Sequence, residues 1–423
     1  MFEINPRDKI VERALLVGAH SAQTEREDAL DLLNELGELT RTLRIPVIER
    51  MLVYNREPQA RYLLGSGKAE EICERARELE CDVIIFDNEL TPAQQRNWES
   101  LSKVTVIDRQ EIILDIFGSR ARTKEARLQV DLARMTYSLP RLTRAWSHLG
   151  KQGGGIGSKG EGESQLEQDK RKIRGQMDRL KRDLVEVRQN RANQRKDRKR
   201  APVPNAAIVG YTNAGKSSLL RRLTGAEVLV EDALFATLDT TTRKIDLPNK
   251  RPLLLTDTVG FIRKLPHQLV ESFNATLEEA VLADFLVHVL DASHPRVLEF
   301  HGTTMKVLSE LGADDRKTIT VFNKIDRLDD PITRATLRNA YPEALFVSVH
   351  TGEGLDLLVA ELARLVGTDT REIALRIPHS RPDLLARIHR EGTVHGTEYG
   401  EEESIVTATV SERLRRDLEP FLA

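Results

Sequence analysis

The chain has 423 residues and a mass of 47.8 kDa, enough for about two to four domains, and its 40% hydrophobic and 31% charged residues exclude disorder throughout. The formal net charge is only −2, and no apolar run approaches the roughly 20 residues that a membrane span needs. The two cysteines, Cys73 and Cys81, exclude a disulfide framework and a cysteine-rich metal site, and the N-terminus has no apolar signal core, so we expect a cytoplasmic protein.

Residues 11–122 alternate apolar runs with segments of helical periodicity. The predicted strands are Ala14–Val17, Val47–Val53, Val83–Phe86 and Val104–Ile107. The predicted helices are Glu25–Leu43, Lys68–Leu79, Pro92–Leu101 and one from about Arg109. This alternation is typical of a parallel sheet with crossover helices, so we expect an N-terminal α/β domain over residues 1–122.

Residues 123–200 predict a long helical hairpin with a glycine-rich loop at its tip. In Gly150–Gly162 (GKQGGGIGSKGEG), seven of thirteen residues are glycine. The following segment, to about Asp197, carries a narrow apolar stripe at helical spacing, formed by Leu166, Ile173, Met177, Leu180, Leu184 and Val187. Lys196–Pro204 (KDRKRAPVP) is interpreted as a linker.

The second half of this hairpin is strongly basic. Lys170–Arg200 contains fourteen Lys and Arg against four acidic residues, a local net charge of +10. Charge runs are usually solvated helix faces, but this one suits a polyanion such as RNA. Because the segment has no aromatic residues, we expect contacts to the RNA backbone and not base stacking.

Residues 201–367 again alternate strands and helices, which predicts a second α/β domain, and residues 368–423 predict a small α+β domain. The tail divides into a strand at Glu372–Ile377, a helix at Pro382–Glu391, a hairpin within Thr393–Val410 and a last helix.

A phosphate-binding motif opens the second α/β domain. Gly210–Ser217 (GYTNAGKS) fits G-x-x-x-x-G-K-[ST] and lies between the apolar run Ala206–Val209 and the helical run Ser218–Leu223. Backbone N–H groups of such a loop surround a phosphate chain. Lys216 would contact the β- and γ-phosphates, and Ser217 would ligate Mg²⁺.

The string GSGK at Gly65–Lys68 resembles this motif but lacks its spacing. Tyr62 stands where the first glycine is needed, and Ala69 stands where a hydroxyl would bind the metal. We interpret GSGK as the turn that begins a helix.

Two further motifs follow in the order of a GTP-binding domain. Leu253–Gly260 (LLLTDTVG) places Asp257 at a strand end, from which it can reach Mg²⁺ through water, and the Gly260 N–H can donate to the γ-phosphate. Thr320–Asp326 (TVFNKID) supplies a carboxylate, on Asp326, that accepts hydrogen bonds from guanine N1–H and the 2-amino group, which adenine does not offer.

The remaining base contacts are assigned to neighbours of Asp326. Asn323 would bridge the base and the phosphate loop, and Lys324 would stack along the base plane. The triplet Ser348-Val349-His350 would close over the base edge with backbone groups. Metabolic kinases and transport ATPases share the phosphate loop but lack the guanine-selective motif, so these classes are disfavoured.

A switch loop is expected at Phe235–Arg243 (FATLDTTTR). Thr237 is our candidate Mg²⁺ ligand, with Thr240–Thr242 as rivals. Phe261 follows D-x-x-G, where Ras-like GTPases carry the glutamine that orients the attacking water. A phenyl ring cannot orient water, so the catalytic group is unknown and we expect slow turnover that a partner stimulates. Asn213 is a candidate K⁺ ligand beside the phosphates, or a loop-stabilising residue.

The sequence resembles the HflX family of GTPases, of the Obg–HflX group, over most of its length. The strings that carry the resemblance are Phe86–Glu99 (FDNELTPAQQRNWE), Ile107–Leu142, Gly153–Arg171 (GGGIGSKGEGESQLEQDKR), Gly210–Ser217, Phe235–Arg243 and Asp257–His267 (DTVGFIRKLPH). Two departures from the family pattern are visible: Thr240 replaces a proline, and Trp98 replaces a more usual leucine.

The resemblance implies a GTPase that binds the large (50S) ribosomal subunit through rRNA and splits or rescues stalled ribosomes under stress. It implies ribosome-stimulated hydrolysis, and it leaves two alternatives: a biogenesis GTPase acting on precursor 50S, or an RNA-binding switch with little turnover. Some family members also use ATP, for which this sequence offers no clear motif. We expect a monomer, and peripheral membrane contact stays open.

By the family pattern, Ser217 and Thr237 are the Mg²⁺ ligands, with Asp257 acting through water. The complete set of predicted nucleotide-binding residues is Gly210, Tyr211, Thr212, Asn213, Ala214, Gly215, Lys216, Ser217, Phe235, Ala236, Thr237, Leu238, Asp239, Asp257, Thr258, Val259, Gly260, Asn323, Lys324, Asp326, Ser348, Val349 and His350.

Overall fold

A computed structural model describes residues 11–21, 25–142, 159–198, 203–225, 234–264, 279–313, 315–328, 330–368, 370–400 and 402–423. The chain forms two compact units. The first comprises Met1–Val187, Leu229–Asp239 and Val259–Leu277, and the second comprises Arg188–Val228, Thr240–Thr258 and Glu278–Ala423. Within the described ranges, no helix has both the length and the apolar character of a membrane span.

The first unit contains a four-stranded parallel sheet of order β2-β1-β3-β4. Its strands are β1 (Ala14–His20), β2 (Val47–Tyr54), β3 (Val83–Phe86) and β4 (Thr105–Asp108). The helices are α1 (Arg26–Thr42), α2 (Ser66–Glu78), α3 (Pro92–Ser102) and α4 (Arg109–Arg120). The predicted parallel α/β architecture is confirmed.

Local chemistry explains these helix boundaries. Thr91 and Gln94 form a reciprocal capping box at the start of α3, and the Asp108 carboxylate accepts from the Glu111 N–H at the start of α4. The GSGK turn begins α2, as predicted, with Gly65 in the extended cap position. Trp98 fills the core beneath α3, and its indole N–H donates to the carbonyl oxygen of Tyr62 at 2.9 Å.

The helical region that follows differs in detail from the prediction. Helix α5 (Lys124–Ser138) ends in a 3₁₀ turn at Leu139–Arg141, because Pro140 has no N–H to continue the α-helical ladder. The α-helix in the first half of the predicted hairpin therefore ends at Ser138. Most of the predicted glycine-rich loop lies outside the described residues.

Helix α6 (Lys159–Arg198) confirms the predicted long helix. Ile173, Met177 and Leu180 are partly buried and Leu184 is buried, so a narrow stripe is shielded on a helix that otherwise faces solvent. The helix reaches Arg198, so the linker begins later than the predicted Lys196, and residues 199–202 of it lie outside the described residues.

The second unit contains a six-stranded sheet of order β10-β9-β8-β5-β7-β6, parallel except for β6 against β7. The strands are β5 (Asn205–Gly210), β6 (Thr241–Asp246), β7 (Pro252–Asp257), β8 (Phe285–Asp291), β9 (Lys317–Asn323) and β10 (Leu345–Phe346). The helices are α7 (Lys216–Thr224), α8 (Val297–Glu310), α9 (Pro331–Ala340) and α10 (Leu355–Thr368). Its four central strands end at one edge, the usual ligand edge of such sheets.

The same unit ends in a three-stranded antiparallel sheet of order β11-β13-β12. Its elements are β11 (Thr370–Pro378), α11 (Pro382–Glu391), β12 (Thr393–Tyr399), β13 (Glu403–Ser411) and α12 (Glu412–Asp417). Buried residues of both helices, among them Ile388 and Leu414, form one core with β11 and β13. The predicted small α+β C-terminal part is confirmed.

Candidate nucleotide-binding site

The phosphate loop connects β5 to α7 and depends on glycine at two positions. Gly210 has φ 145°, and a Cβ there would collide with the carbonyl oxygen of Val289. Gly215 has φ 98°, and a Cβ there would collide with the side-chain amide of Asn323. Larger residues would distort the loop at both places, because neither the conformation nor the space admits a side chain.

Lys216 is buried at the start of α7. Its Nζ donates to the carbonyl oxygen of Tyr211 at 2.7 Å. Burial lowers the pKa of Lys216 to about 8, although the nearby Asp257 carboxylate acts in the opposite direction. The lysine is thus folded back onto its own loop. From there its ammonium group can turn to contact a phosphate.

Ser217, a predicted Mg²⁺ ligand, and Asp257, predicted to reach the metal through water, lie together. The Ser217 hydroxyl donates to a carboxylate oxygen of Asp257 at 2.6 Å, and Asp257 is fully buried at the end of β7. Beside it, the Thr258 hydroxyl donates to the carbonyl oxygen of Ile208 at 2.7 Å and joins the ends of β7 and β5. A hydroxyl and a carboxylate are hard oxygen donors that suit Mg²⁺.

Asn323 connects the phosphate loop to the base-binding segments. Its Nδ2 donates to the carbonyl oxygen of Ala214 at 2.9 Å, and its Oδ1 accepts from the Val349 N–H at 3.1 Å. Both ends of this amide are therefore used: one holds the phosphate loop and the other holds the segment after β10.

Asp326 is held by a side chain to which the sequence analysis gave no such role. The Ser348 hydroxyl donates to a carboxylate oxygen of Asp326 at 2.5 Å, and its oxygen accepts from the Thr351 N–H at 3.1 Å. This hydrogen bond is the main reason why the pKa of Asp326 lies below its ordinary value. An ionised carboxylate in a fixed orientation suits the two N–H donors of guanine.

Of the predicted switch loop, Phe235–Asp239 belongs to the first unit and Thr240–Arg243 belongs to the second. Phe235 has φ 56°, is buried, and packs edge-to-face on Phe117 with ring centroids 4.6 Å apart. The Asp239 carboxylate accepts from the N–H groups of Arg122 and Thr123, at 2.8 and 3.1 Å, and from the Thr123 hydroxyl. Thr237 is partly buried between them. Asp239 therefore holds Thr123, the residue that caps α5.

The segment after D-x-x-G also lies in the first unit. Phe261 and Ile262 are buried. The carbonyl oxygen of Arg263 accepts from the Arg109 guanidinium at 3.4 Å, and Lys264 forms an ion pair with Asp87.

Sequence reasoning missed two neighbours of the site. The ring of Tyr211 is stacked on Phe300 of α8 at 3.9 Å, and Asp291 forms an ion pair with Lys324. Asp291 ends an apolar strand run and could have been noticed for that reason. Nothing in the sequence singles out Phe300, because one aromatic residue on an amphipathic helix is usually part of the hydrophobic core.

A phosphate loop after β5, an acidic residue at the end of β7 and the N-K-x-D segment after β9 together define a P-loop GTPase. Three family models match the chain: "GTP-binding GTPase N-terminal" at residues 31–118, "GTP-binding GTPase Middle Region" at residues 120–198, and "50S ribosome-binding GTPase" at residues 205–324.

Relatives extend this similarity over the full length. The GTPase HflX of Akkermansia muciniphila is 48% identical over 435 residues, which cover 100% of both chains. The GTPase HflX of Escherichia coli (strain K12) is 40% identical over 400 residues, which cover 94% of this chain and 93% of that one. The chain belongs to the HflX family of GTPases, and its activity is GTP hydrolysis.

A crystal structure of a GTP-binding protein from Sulfolobus solfataricus in complex with GDP is also similar. It is 24% identical with a TM-score of 0.44, and the match covers 84% of this chain and 98% of that chain.

Proposed function

We propose that this GTPase binds the large (50S) ribosomal subunit in its GTP form, splits or rescues stalled ribosomes under stress, and leaves the subunit after hydrolysis. Full-length membership in the HflX family and the 50S-binding type of its GTPase domain support this proposal. The observation that carries the contact with rRNA is the net charge of +10 over Lys170–Arg200, most of which forms α6.

Cations and acidic residues are interspersed along the described part of α6. Near its start, Lys170 lies 3.9 Å from Glu167, and Lys172 lies 3.6 Å from Asp169. These acidic neighbours offset part of the positive charge. Farther along, Arg179 and Lys181 are exposed, and no described acidic side chain pairs with them. Exposed cations on a helix suit contacts to the phosphates of RNA.

At the nucleotide, we assign the phosphates to Gly210–Ser217 and the base to Asn323, Lys324, Asp326 and Ser348–His350. Ser217 and Thr237 are the proposed Mg²⁺ ligands, with Asp257 acting through water, and the 2.6 Å contact between Ser217 and Asp257 supports this assignment. The metal would supply charge neutralisation at the phosphates. Asn213, with φ 59° in the loop, is the proposed K⁺ ligand.

Hydrolysis is proposed to depend on the ribosome, because Phe261 stands in the glutamine position. Its side chain is 3% exposed and offers no hydrogen-bonding atom, so it cannot orient a water molecule. The rRNA or a ribosomal protein would then order the attacking water or the groups around it. The proposal assigns slow turnover to the isolated protein.

The test is GTP hydrolysis by the purified chain, with and without 50S subunits, across a salt series. We expect stimulation by 50S that falls steeply as salt rises, because phosphate contacts release counterions. The double variant Arg179→Glu/Lys181→Glu should lose most of this stimulation. A matched control, Arg77→Glu/Lys306→Glu, changes the charge equally at two exposed positions outside α6 and should keep it.

Sedimentation of 70S ribosomes with the protein and GTP tests splitting directly. A rise in free subunits supports splitting. Stimulated hydrolysis without subunit release, together with precursor rRNA accumulating in a deletion strain, would favour the biogenesis alternative. Turnover near zero with ribosomes would favour the RNA-binding switch.

A further inference from the structure

A second acidic residue stands beside the proposed base site. Asp291 is the last residue of β8 and pairs in register with Asn323, the last residue of β9. Because the two strands are parallel neighbours, Asp291 and Lys324 emerge at the same edge of the sheet. Lys324 Nζ lies 2.7 Å from Asp291 Oδ2.

Asp291 is itself fixed by the turn that follows it. Its Oδ1 accepts from the Ser293 N–H at 3.0 Å and from the Ser293 hydroxyl at 2.6 Å. The Ala292 N–H donates to the carbonyl oxygen of Asn323 at 2.8 Å and ties this turn to the base-binding segment. One carboxylate oxygen therefore anchors Asp291, and the other faces the lysine.

Lys324 needs such an anchor. It has φ 64°, a left-handed conformation that a side-chain-bearing residue seldom adopts, and its four-carbon stem is otherwise flexible. The side chains of Lys324 and Asp291 are only 18% and 20% exposed, so solvent screens their attraction less than on an open surface. The ion pair restricts the lysine stem before a nucleotide arrives.

We propose that Asp291 is a positioning residue for guanine-nucleotide binding, which holds the Lys324 stem along the plane of the base. This inference rests on the proposed base site of Lys324 and Asp326. Asp291 is expected to affect nucleotide binding and not the hydrolysis step, because the Asp291–Lys324 pair lies at the base end of the site, where β8 and β9 end.

This role has a distinctive signature. Stacking by the lysine stem does not involve the guanine 2-amino group, so Asp291 should affect guanine and inosine nucleotides equally. It should also affect GTP and GDP equally, since it acts at the base. Uniform binding of ground state and transition state changes KM and leaves kcat unchanged.

The experiment uses the full-length variant Asp291→Asn, with binding of fluorescent GDP and GTP, competition by inosine diphosphate, and steady-state hydrolysis. We expect all three nucleotides to bind about three- to tenfold more weakly, with kcat within about twofold of the unaltered protein. Glu361→Gln is the matched control, because it breaks the surface ion pair of Glu361 with Arg364 in the same unit and should change nothing.

A double-variant comparison tests whether Asp291 acts through the lysine. Lys324→Met keeps the apolar stem and removes the charge, so Asp291→Asn should cause no further loss in that background. A further loss of the same size would overturn the inference, since Asp291 would then act independently of Lys324. Unchanged binding by Asp291→Asn alone would also overturn it. Tighter binding would overturn it as well, because Asp291 would then be competing with the nucleotide for the ammonium group of Lys324.

Asp326→Asn separates this inference from the base site on which it rests. Guanine preference retained in Asp326→Asn would refute the base site itself. A shift to xanthine nucleotides in Asp326→Asn, together with unaltered binding in Asp291→Asn, would refute only the role of Asp291.

Discussion

The ammonium group of Lys264 lies 2.6 Å from a carboxylate oxygen of Asp87. Lys264 follows Gly260 by four residues, and Asp87 comes directly after β3, so the ion pair joins the segment after D-x-x-G to the N-terminal sheet within the first unit. The other oxygen of Asp87 accepts from Arg109 at 2.7 Å. Burial alone would raise the pKa of Asp87, but Arg109 and Lys264 hold it below its ordinary value.

Asp87→Asn should destabilise the protein far more than Lys264→Met. Asp87 is 4% exposed and Arg109 3%, so the asparagine variant removes one carboxylate partner from a buried guanidinium that keeps Glu35 as another, at a cost of about 2–3 kcal/mol. Lys264 is 42% exposed, and losing its charge should cost less than about 1 kcal/mol. Urea unfolding followed by fluorescence, to which the buried Trp98 contributes, measures both. Equal losses in the two variants would contradict this ranking.

The sequence predicted the elements of both α/β parts because their strands are short apolar runs and their helices carry periodic stripes. It also predicted the phosphate loop and N-K-x-D segments, since their residues lie close together in the chain. It could not predict contacts between distant residues, such as Asp239 at the start of α5 or Lys264 with Asp87. Such pairs consist of ordinary surface residue types, and only the fold decides which of them meet.

Ser348→Ala should weaken guanine-nucleotide binding without changing its selectivity. The Ser348 hydroxyl holds Asp326 at 2.5 Å and is the main cause of its low pKa, but the carboxylate that reads guanine remains in the variant. We expect affinity for GDP to fall about threefold to tenfold, as for one lost hydrogen bond to a charged group.

Asp326→Asn provides the contrast, because an amide offers a donor where guanine needs an acceptor. This variant should prefer xanthine over guanine nucleotides in a competition assay that also includes ATP. If Ser348→Ala changes the order of nucleotide preference, the serine contacts the base and does not merely orient Asp326.

Gly215→Ala should abolish nucleotide binding, whereas Gly225→Ala should leave it nearly intact. Both glycines have positive φ, 98° and 64°, so both substitutions introduce backbone strain of about 1 kcal/mol. Only at Gly215 would the new methyl group also meet the Asn323 amide that bridges the phosphate loop; at Gly225, at the end of α7, the space is open. Equilibrium binding of GDP, with melting temperature as the folding control, distinguishes the two. Equal loss of GDP binding in both variants would mean that backbone strain alone, and not the collision with Asn323, disrupts the phosphate loop.

His288 should make the protein acid-sensitive below about pH 6.5, the ordinary pKa of histidine. The ring is fully buried in β8, and neither nitrogen has a hydrogen-bond partner. Burial lowers its pKa to about 3, and two cationic or titratable neighbours, His301 and Lys216, act in the same direction. Between these two pKa values the unfolded chain therefore binds a proton at His288 that the folded chain does not bind. The contribution of the neutral, buried His288 to the free energy of unfolding is complete above pH 6.5 and is lost as the pH falls toward 3. Between pH 7.5 and 5.5 this should remove about 1.4 kcal/mol of the free energy of unfolding.

Since carboxylates and other histidines titrate in the same range, the informative quantity is the difference from His288→Leu, which should lack this part of the slope. Parallel curves for the two proteins over that interval would show that His288 is protonated, or hydrated, in the folded state.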